Sequence, residues 1–208
     1  NWYRKVNRLK SKPIIIQDIT EDLDSNYDEK PEWVYLDEEQ MSKLMKNTIK
    51  RYAALFEFVY DSGARVTETF SLRGKDITQD KKELYVNISD EIAKSTGRKI
   101  KLKLCQDSLL SYIKENKIEE NDLLFPFSAP MVNKYLKELC KGLFGEKISK
   151  AGAKYSEFTL YDFRHNSSCF WLQRYKTNSM MMYRFGWKSE KYIHYYSEFL
   201  GMKDEIRD

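Results

Sequence analysis

Three side chains in this sequence, two arginines and a tyrosine, stand in contexts that suit them to phosphate chemistry. Arg65 lies in Ser62-Gly63-Ala64-Arg65-Val66-Thr67-Glu68, just after a glycine turn, and Arg164 lies in Leu160-Tyr161-Asp162-Phe163-Arg164-His165, at the opening of a helix. Tyr196 comes nine positions after Trp187 of the Gly186-Trp187 pair. Two guanidiniums can hold the non-bridging oxygens of a phosphodiester in bidentate fashion, and a phenol can attack its phosphorus. Phe163, Cys169, Phe170, Trp171 and Leu172 make the helix of Arg164 apolar. An arginine there needs an acid or an anionic ligand, because an unpaired buried charge is costly. An internal ion pair to Glu68 or Asp162 is the alternative to a ligand.

These side chains must be positioned by elements the pattern predicts. Asp37 reads as the N-cap of a helix with acids in its first turn, followed by an apolar stripe through Met41, Leu44, Ala53, Leu55, Phe56, Phe58 and Val59. Asp61-Ser62-Gly63 ends that helical stretch, and a short helix is expected from Val66 to Leu72. Residues 83–89 and 98–104 alternate with period two about a Ser95-Thr96-Gly97 turn, so they predict a hairpin or part of a small sheet. Ser108 to Ile113 opens a further helix, and Ser128-Ala129-Pro130 starts another through Leu143. Helices over 161–174, 178–185 and 189–199 complete the chain. The expected class is α+β, mostly helical with one small antiparallel sheet. Pro13 to Trp33 reads as an extended connector.

The 208 residues suffice for one ordinary domain with extensions. No apolar run nears the roughly 18 residues of a membrane span. The N-terminus has no Met and no apolar stretch, so it shows no signal peptide and reads as a piece of a longer protein. An intracellular, cytoplasmic and nucleoid-associated setting is expected. Cys105, Cys140 and Cys169 are odd in number and widely spaced, which suits reduced thiols rather than a disulfide framework or metal site. A net charge of +4 is modest, but its distribution is uneven. Residues 18–39 are rich in acids, whereas Lys94, Arg98, Lys99, Lys101 and Lys103 fall in a run with none. That polarity suits one DNA-facing side; a solvated charged hairpin is the plainer reading.

Taken together, the motifs resemble those of the tyrosine recombinase (phage integrase) family. Its first box, T-G-x-R-x-x-E, is matched at Ser62 to Glu68, with Leu72 and Asp76-Ile77 following in place. Its hairpin-lysine pattern is matched from Lys94 through Lys99 and Lys101. Its second box, H-x-L-R-H, is matched from Tyr161 to His165. Its third, L-G-[HW] with a tyrosine nine residues later, is matched by Phe185-Gly186-Trp187 and Tyr196. The first-box and third-box wording, with Phe-Gly-Trp and the Phe-Arg-His-Asn-Ser-Ser run, looks most like the archaeal branch. The resemblance implies a catalytic domain over 34–199, a linker and remnant of a core-binding domain over 1–33, and a tail over 200–208.

It further implies site-specific cleavage and rejoining of double-stranded DNA at an attachment site of a mobile element, through a 3′-phosphotyrosyl link made by Tyr196. Arg65 and Arg164 would stabilise the transition state, Lys94 would protonate the leaving oxygen, Trp187 would bond the phosphate and buttress the nucleophile, and Glu68 would orient Arg65. No metal and no ATP are needed. A homotetramer on DNA is implied, with C-terminal segments exchanged, and the isolated piece is expected to be monomeric. Arg98, Lys99 and Lys101 are expected at the DNA, as are Arg73, Lys75 and Arg174.

One departure stands out. The family's general base is the first histidine of the second box, and that position is Tyr161, whose phenol is a poor base at neutral pH. Tyr161 could still bond a phosphate oxygen or the Tyr196 hydroxyl, and His165 reads as a packing or helix-start residue. Spacing favours Tyr196 over Tyr195 as nucleophile and leaves Tyr192 to packing; the Met180 to Met182 run reads as core or interface. Two alternatives stay open: a hairpin-forming telomere resolvase, and a non-catalytic DNA-binding module of the same fold.

Overall fold

A computed structural model describes residues 32–93 and 96–202, which form eight α-helices and one three-stranded sheet. Residues 1–31, most of the predicted connector, and Lys94 with Ser95 at the predicted hairpin turn lie outside the described residues. Helix α1, Glu38–Asn47, begins where Asp37 accepts the N–H of Gln40 and the Gln40 side chain returns to the Asp37 N–H. The predicted long helical stretch is broken at Thr48 and Ile49, both extended, and resumes as α2, Lys50–Ser62. Tyr52, Leu55, Phe56, Phe58 and Val59 of α2 are buried.

Gly63 ends α2 in the left-handed region (φ 63°). That conformation suits glycine, and so does the space: a Cβ here would collide with the Phe185 ring, whose Cδ1 and Cζ would both lie at 2.9 Å. The short α3, Val66–Ser71, follows.

The sheet has order β1-β2-β3, all antiparallel: β1 Ile77–Asp80, β2 Glu83–Ile88 and β3 Arg98–Leu102. The two predicted strands are present and pair Val86 with Ile100; β1, which pairs Ile77 with Val86, has no alternating apolar pattern to announce it. Helix α4, Gln106–Glu115, and α5, Ala129–Phe144, cover the main core. The last three helices are α6, Leu160–Leu172, α7, Asn178–Phe185, and α8, Lys191–Leu200.

Helix α6 is the central element. Eleven of its 13 residues are buried, six of them polar: Asp162, Arg164, His165, Asn166, Ser167 and Ser168. Buried polar groups need partners, and most of these bind backbone. Asp162 accepts from the N–H of Val34 (2.8 Å) and of Thr159 (2.8 Å). Asn166 accepts from Leu36 N–H and donates to Val34 O, both at 2.8 Å. One face of α6 therefore holds residues 33–36 as if it were a neighbouring strand. Trp33, at the end of the predicted connector, is accordingly packed rather than linking: it is 3% exposed and bridges in parallel to Gly152.

Asp61 does similar work at the end of α2. It takes the N–H groups of Lys103 and Leu104 at 2.6 Å and an ion pair from Arg184 at 2.8 Å, tying α2 to the end of β3 and to α7. The three cysteines are buried and free. No helix among the described residues is long and apolar enough to cross a membrane. Gly63→Ala is expected to lose about 2–5 kcal/mol, combining left-handed backbone strain with overpacking against Phe185. Denaturant midpoints of the variant and the parent measure this, and equal midpoints would refute it.

Candidate active site

Arg65 is the N-cap of α3, with extended backbone (φ −68°, ψ 153°). Its own N–H and its Nη1 both donate to Glu68, each at 2.8 Å, so one carboxylate fixes the start of the helix and the direction of the guanidinium. The Arg65 side chain keeps 26% exposure, whereas Glu68 has none. The outer face of the guanidinium is left open, and its Nη2 lies 3.5 Å from Gly186 O.

Arg98 closes the other side of that carboxylate. Its Nη1 and Nη2 reach Glu68 at 3.1 and 2.8 Å, and its Nε donates to Arg184 O at 2.9 Å. The Arg98 side chain is 1% exposed. The expectation that Arg98 faces DNA is thereby corrected: as the first residue of β3 it points inward, and the buried acid claims it. Burial alone would raise the pKa of Glu68, but the hydrogen bonds and charge of Arg98, then those of Arg65, outweigh it and hold it at about 2.

Arg164 finds carbonyls rather than a carboxylate. Nη1 donates to Gly63 O and Nη2 to Phe185 O (2.7 Å). Asp162, the other candidate acid, is engaged by Val34 and Thr159 instead. Burial, then Arg65, then Arg98 push the Arg164 pKa down to about 10, so it stays charged at neutral pH while feeling both neighbours. Three guanidiniums thus share one small region.

Tyr196 lies on α8, 5% exposed, with its hydroxyl 2.8 Å from His165 Nδ1. Burial raises the phenol pKa, and Arg164 is near enough to work against that rise. His165 is buried too, and burial together with Arg164 lowers its pKa to about 4. The ring is therefore neutral at pH 7, and with the proton on Nε2 its Nδ1 accepts the phenol's O–H. Trp187 stacks on the Tyr196 ring at 5.7 Å and 16°, and on Phe185 and Tyr192. Tyr195 is used differently: its hydroxyl accepts the indole N–H of Trp33 at 2.8 Å. Trp33 also stacks on His165, with centroids 4.7 Å apart.

Arg65, Arg164, Glu68, Trp187 and Tyr196 are brought together. Tyr161, at the start of α6, is 60% exposed and touches His165 edge-on at 4.8 Å. Lys94 lies outside the described residues. Lys99 is exposed with its Nζ 4.6 Å from the Tyr85 centroid, and Lys101 pairs with Glu83. Arg73 donates to Asn121 O, and Arg174 pairs with Glu38 at 2.9 Å while covering Phe170.

Sequence reasoning did not place His165 on Tyr196, Trp33 over His165, or Arg98 on Glu68. For His165 a signal existed: it sits four residues after Tyr161 and next to Arg164, so a helix carries it to the same end of the site. For Trp33 and Arg98 the partners are distant in sequence, and no local pattern marks them.

The family model described as the phage integrase family matches residues 34–200. The chain belongs to the phage integrase family. Its fold is similar to that of the XerH site-specific recombinase solved bound to difH substrate in a pre-cleavage complex. That match has TM-score 0.62 and 18% identity, covering 83% of this chain and 53% of that one. The XerA recombinase matches with TM-score 0.62 and 18% identity over 97% of this chain and 68% of its own. A lambda integrase dimer bound to a COC′ core site matches with TM-score 0.63 and 16% identity over 93% and 58%. The chain thus spans about half the length of XerH. No curated protein matches it.

Within this integrase fold, Arg98→Met is expected to cost about 3–5 kcal/mol, because it strands part of a buried carboxylate's pairing. Chemical unfolding reads it, and a loss below about 1 kcal/mol would contradict the burial. His165 supplies a pH dependence of known sign. Its folded pKa of about 4 lies below the ordinary 6.5, so the unfolded chain takes the proton first. The stability it contributes is complete above 6.5 and is lost as pH falls toward about 4. His165→Asn should flatten the stability curve across that window; an unchanged slope would assign it to other groups.

Proposed function

We propose that this chain carries the catalytic domain of a site-specific DNA recombinase of the tyrosine class. One observation carries the reading: the Tyr196 hydroxyl is bonded to His165, the neighbour of Arg164, on the surface where Arg164 and Arg65 meet the Phe185 and Gly186 carbonyls. In the proposed reaction the phenolic oxygen attacks phosphorus, the P–O5′ bond breaks, and a 3′-phosphotyrosyl link forms. The proton of Tyr196 passes to His165 Nδ1, and Lys94 supplies the proton that leaves with the 5′-hydroxyl. Arg65 and Arg164 bind the non-bridging oxygens, whose charge grows in the pentavalent transition state. Resealing is the same path in reverse, with the phosphodiester energy kept in the tyrosyl bond, so no nucleotide or metal is called for.

Glu68 serves as the brace for Arg65, and Trp187 as the support for the Tyr196 ring. Tyr161, exposed at the rim, is available to a phosphate oxygen. Lys99 and the more shielded Lys101 contribute to the DNA-facing side. The XerH and lambda integrase structures were solved on DNA sites, which supports duplex DNA with a specific attachment site as substrate. Assembly as a homotetramer on DNA, membership of the archaeal branch and residence on a mobile element complete the proposal. The Phe-Arg-His-Asn-Ser-Ser and Phe-Gly-Trp wording supports the branch.

A duplex nicked beside the scissile phosphate, so that the cleaved end diffuses away, tests the reading. Wild type is expected to accumulate a covalent protein–DNA adduct that Tyr196→Phe abolishes. His165→Asn is expected to slow adduct formation about 10²- to 10⁴-fold, the usual contribution of a positioned base. No adduct from wild type would instead support a binding module, and closed hairpin ends would support a telomere resolvase. Equal rates for Tyr161→Phe and wild type would remove Tyr161 from the chemistry.

A further inference from the structure

We infer that Trp33 is a positioning residue for the nucleophile: its indole holds the His165 ring on one side and helix α8, through Tyr195, on the other. The inference rests on the reading of Tyr196 as nucleophile. Trp33 lies in sequence before every motif that carries the family resemblance, and the family model begins one residue after it. Its surroundings are nonetheless those of the site. The ring stacks on His165 with centroids 4.7 Å apart and planes 18° apart. It meets Tyr196 edge-on at 6.3 Å and Phe199 at 4.9 Å. Its Nε1–H donates to Tyr195 Oη at 2.8 Å.

The backbone is fixed as firmly as the ring. Trp33 N–H donates to Ala151 O and Trp33 O accepts from Ala153 N–H, both at 3.3 Å, while Val34 and Leu36 are bound to α6 through Asp162 and Asn166. The indole is thus anchored to α6 and to the 151–153 loop before it touches α8. An α8 held on both Trp187 and Trp33 presents Tyr196 to His165 in one orientation. Reacting groups held this way gain rate because the geometry is set in advance.

A stacked indole has a second consequence for the proton transfer. When His165 takes the Tyr196 proton it becomes a cation, and a cation against an indole face is attracted to it. Trp33 therefore supports the ring in both of its protonation states.

The test uses single-turnover cleavage of the nicked duplex at saturating DNA, with DNA affinity and melting temperature measured beside it. Trp33→Phe keeps an aromatic ring over His165 and removes the N–H donor; Tyr195→Phe removes the acceptor of the same bond. Each is expected to slow cleavage about three- to tenfold, the effect of one hydrogen bond, with affinity within twofold of wild type. Because they break one interaction, the double variant should be no slower than either single. Trp33→Ala also removes the stack and is expected to be about a hundredfold slower.

If both conservative variants cleave at the wild-type rate, or if the double variant multiplies the two losses, Trp33 does not position the nucleophile. A purely structural role would lower the melting temperature and leave the cleavage rate unchanged well below it. The conservative pair decides the matter even if Trp33→Ala fails to fold. A wild type that forms no adduct would sink the recombinase reading, and the role of Trp33 with it, whereas an active wild type with unaffected Trp33 variants would sink this inference alone.

Discussion

A cluster of positive charge has to be held together before it can hold anything else, and here a single buried carboxylate does most of that. Glu68 binds Arg65 on one side and Arg98 on the other. Arg164 joins them without an acid of its own. It donates to Gly63 O, at the C-terminal end of α2, and to Phe185 O, at the C-terminal end of α7. Helix C-termini carry partial negative charge, so two of them can stand in for a counter-ion. Three guanidiniums against one carboxylate leave a formal excess of two positive charges. In the proposed reaction a phosphodiester would bring one negative charge and develop a second as the phosphorane forms, so the excess would match the transition state better than the ground state.

Tyr196 and His165, the proposed nucleophile and proton acceptor, are mismatched in the resting protein, and the mismatch has a physical cause. Burial raises the pKa of Tyr196 and lowers that of His165 to about 4, so both stay neutral and the proton stays on the phenol. A bound phosphate would change both terms at once. Its negative charge would favour the imidazolium, and the guanidiniums around it would favour developing phenolate character on the attacking oxygen. In the proposed reaction, proton transfer would then be coupled to the presence of substrate, and a buried phenol would not ionise out of turn.

Much of this was legible in the sequence, and the unread part has a common reason. The Gly63-Ala64-Arg65 turn, the Asp37 cap, strands β2 and β3 and the last three helices follow from local pattern: capping residues, period two and period 3.6. The same holds for Arg65, Glu68, Arg164 and Tyr196, which carry local motifs. What local pattern cannot express is the partner of a side chain. Arg98 alternates correctly for a strand, yet whether its face met solvent or Glu68 depended on where α3 lay. Trp33 sits in an acidic, Pro-containing stretch that reads as connector. It is packed because Asp162 and Asn166, some 130 residues later, bind the backbone beside it. His165 reads as packing because a histidine on an apolar helix usually is, and its bond to Tyr196 becomes visible only once α8 is laid across α6.

Behind the Arg98–Glu68 pair lies a second buried ion pair, and the two are joined. Arg184 pairs with Asp61 at 2.8 Å and covers the Trp171 ring at 4.0 Å, while its carbonyl accepts Nε of Arg98. A continuous run of bonds therefore leads from Asp61 through Arg184 and Arg98 to Glu68 and Arg65. Buried pairs of this kind contribute little net stability, since desolvation offsets most of the attraction. Arg184 even leaves its Nε without a partner. Stability alone would be served as well by apolar side chains of similar volume. What apolar packing cannot supply is direction: a methyl group tolerates rotation, whereas a guanidinium bonded at two or three points does not. The physical return on these buried charges is the fixed aim of Arg65, reached through a chain of groups each held in one orientation.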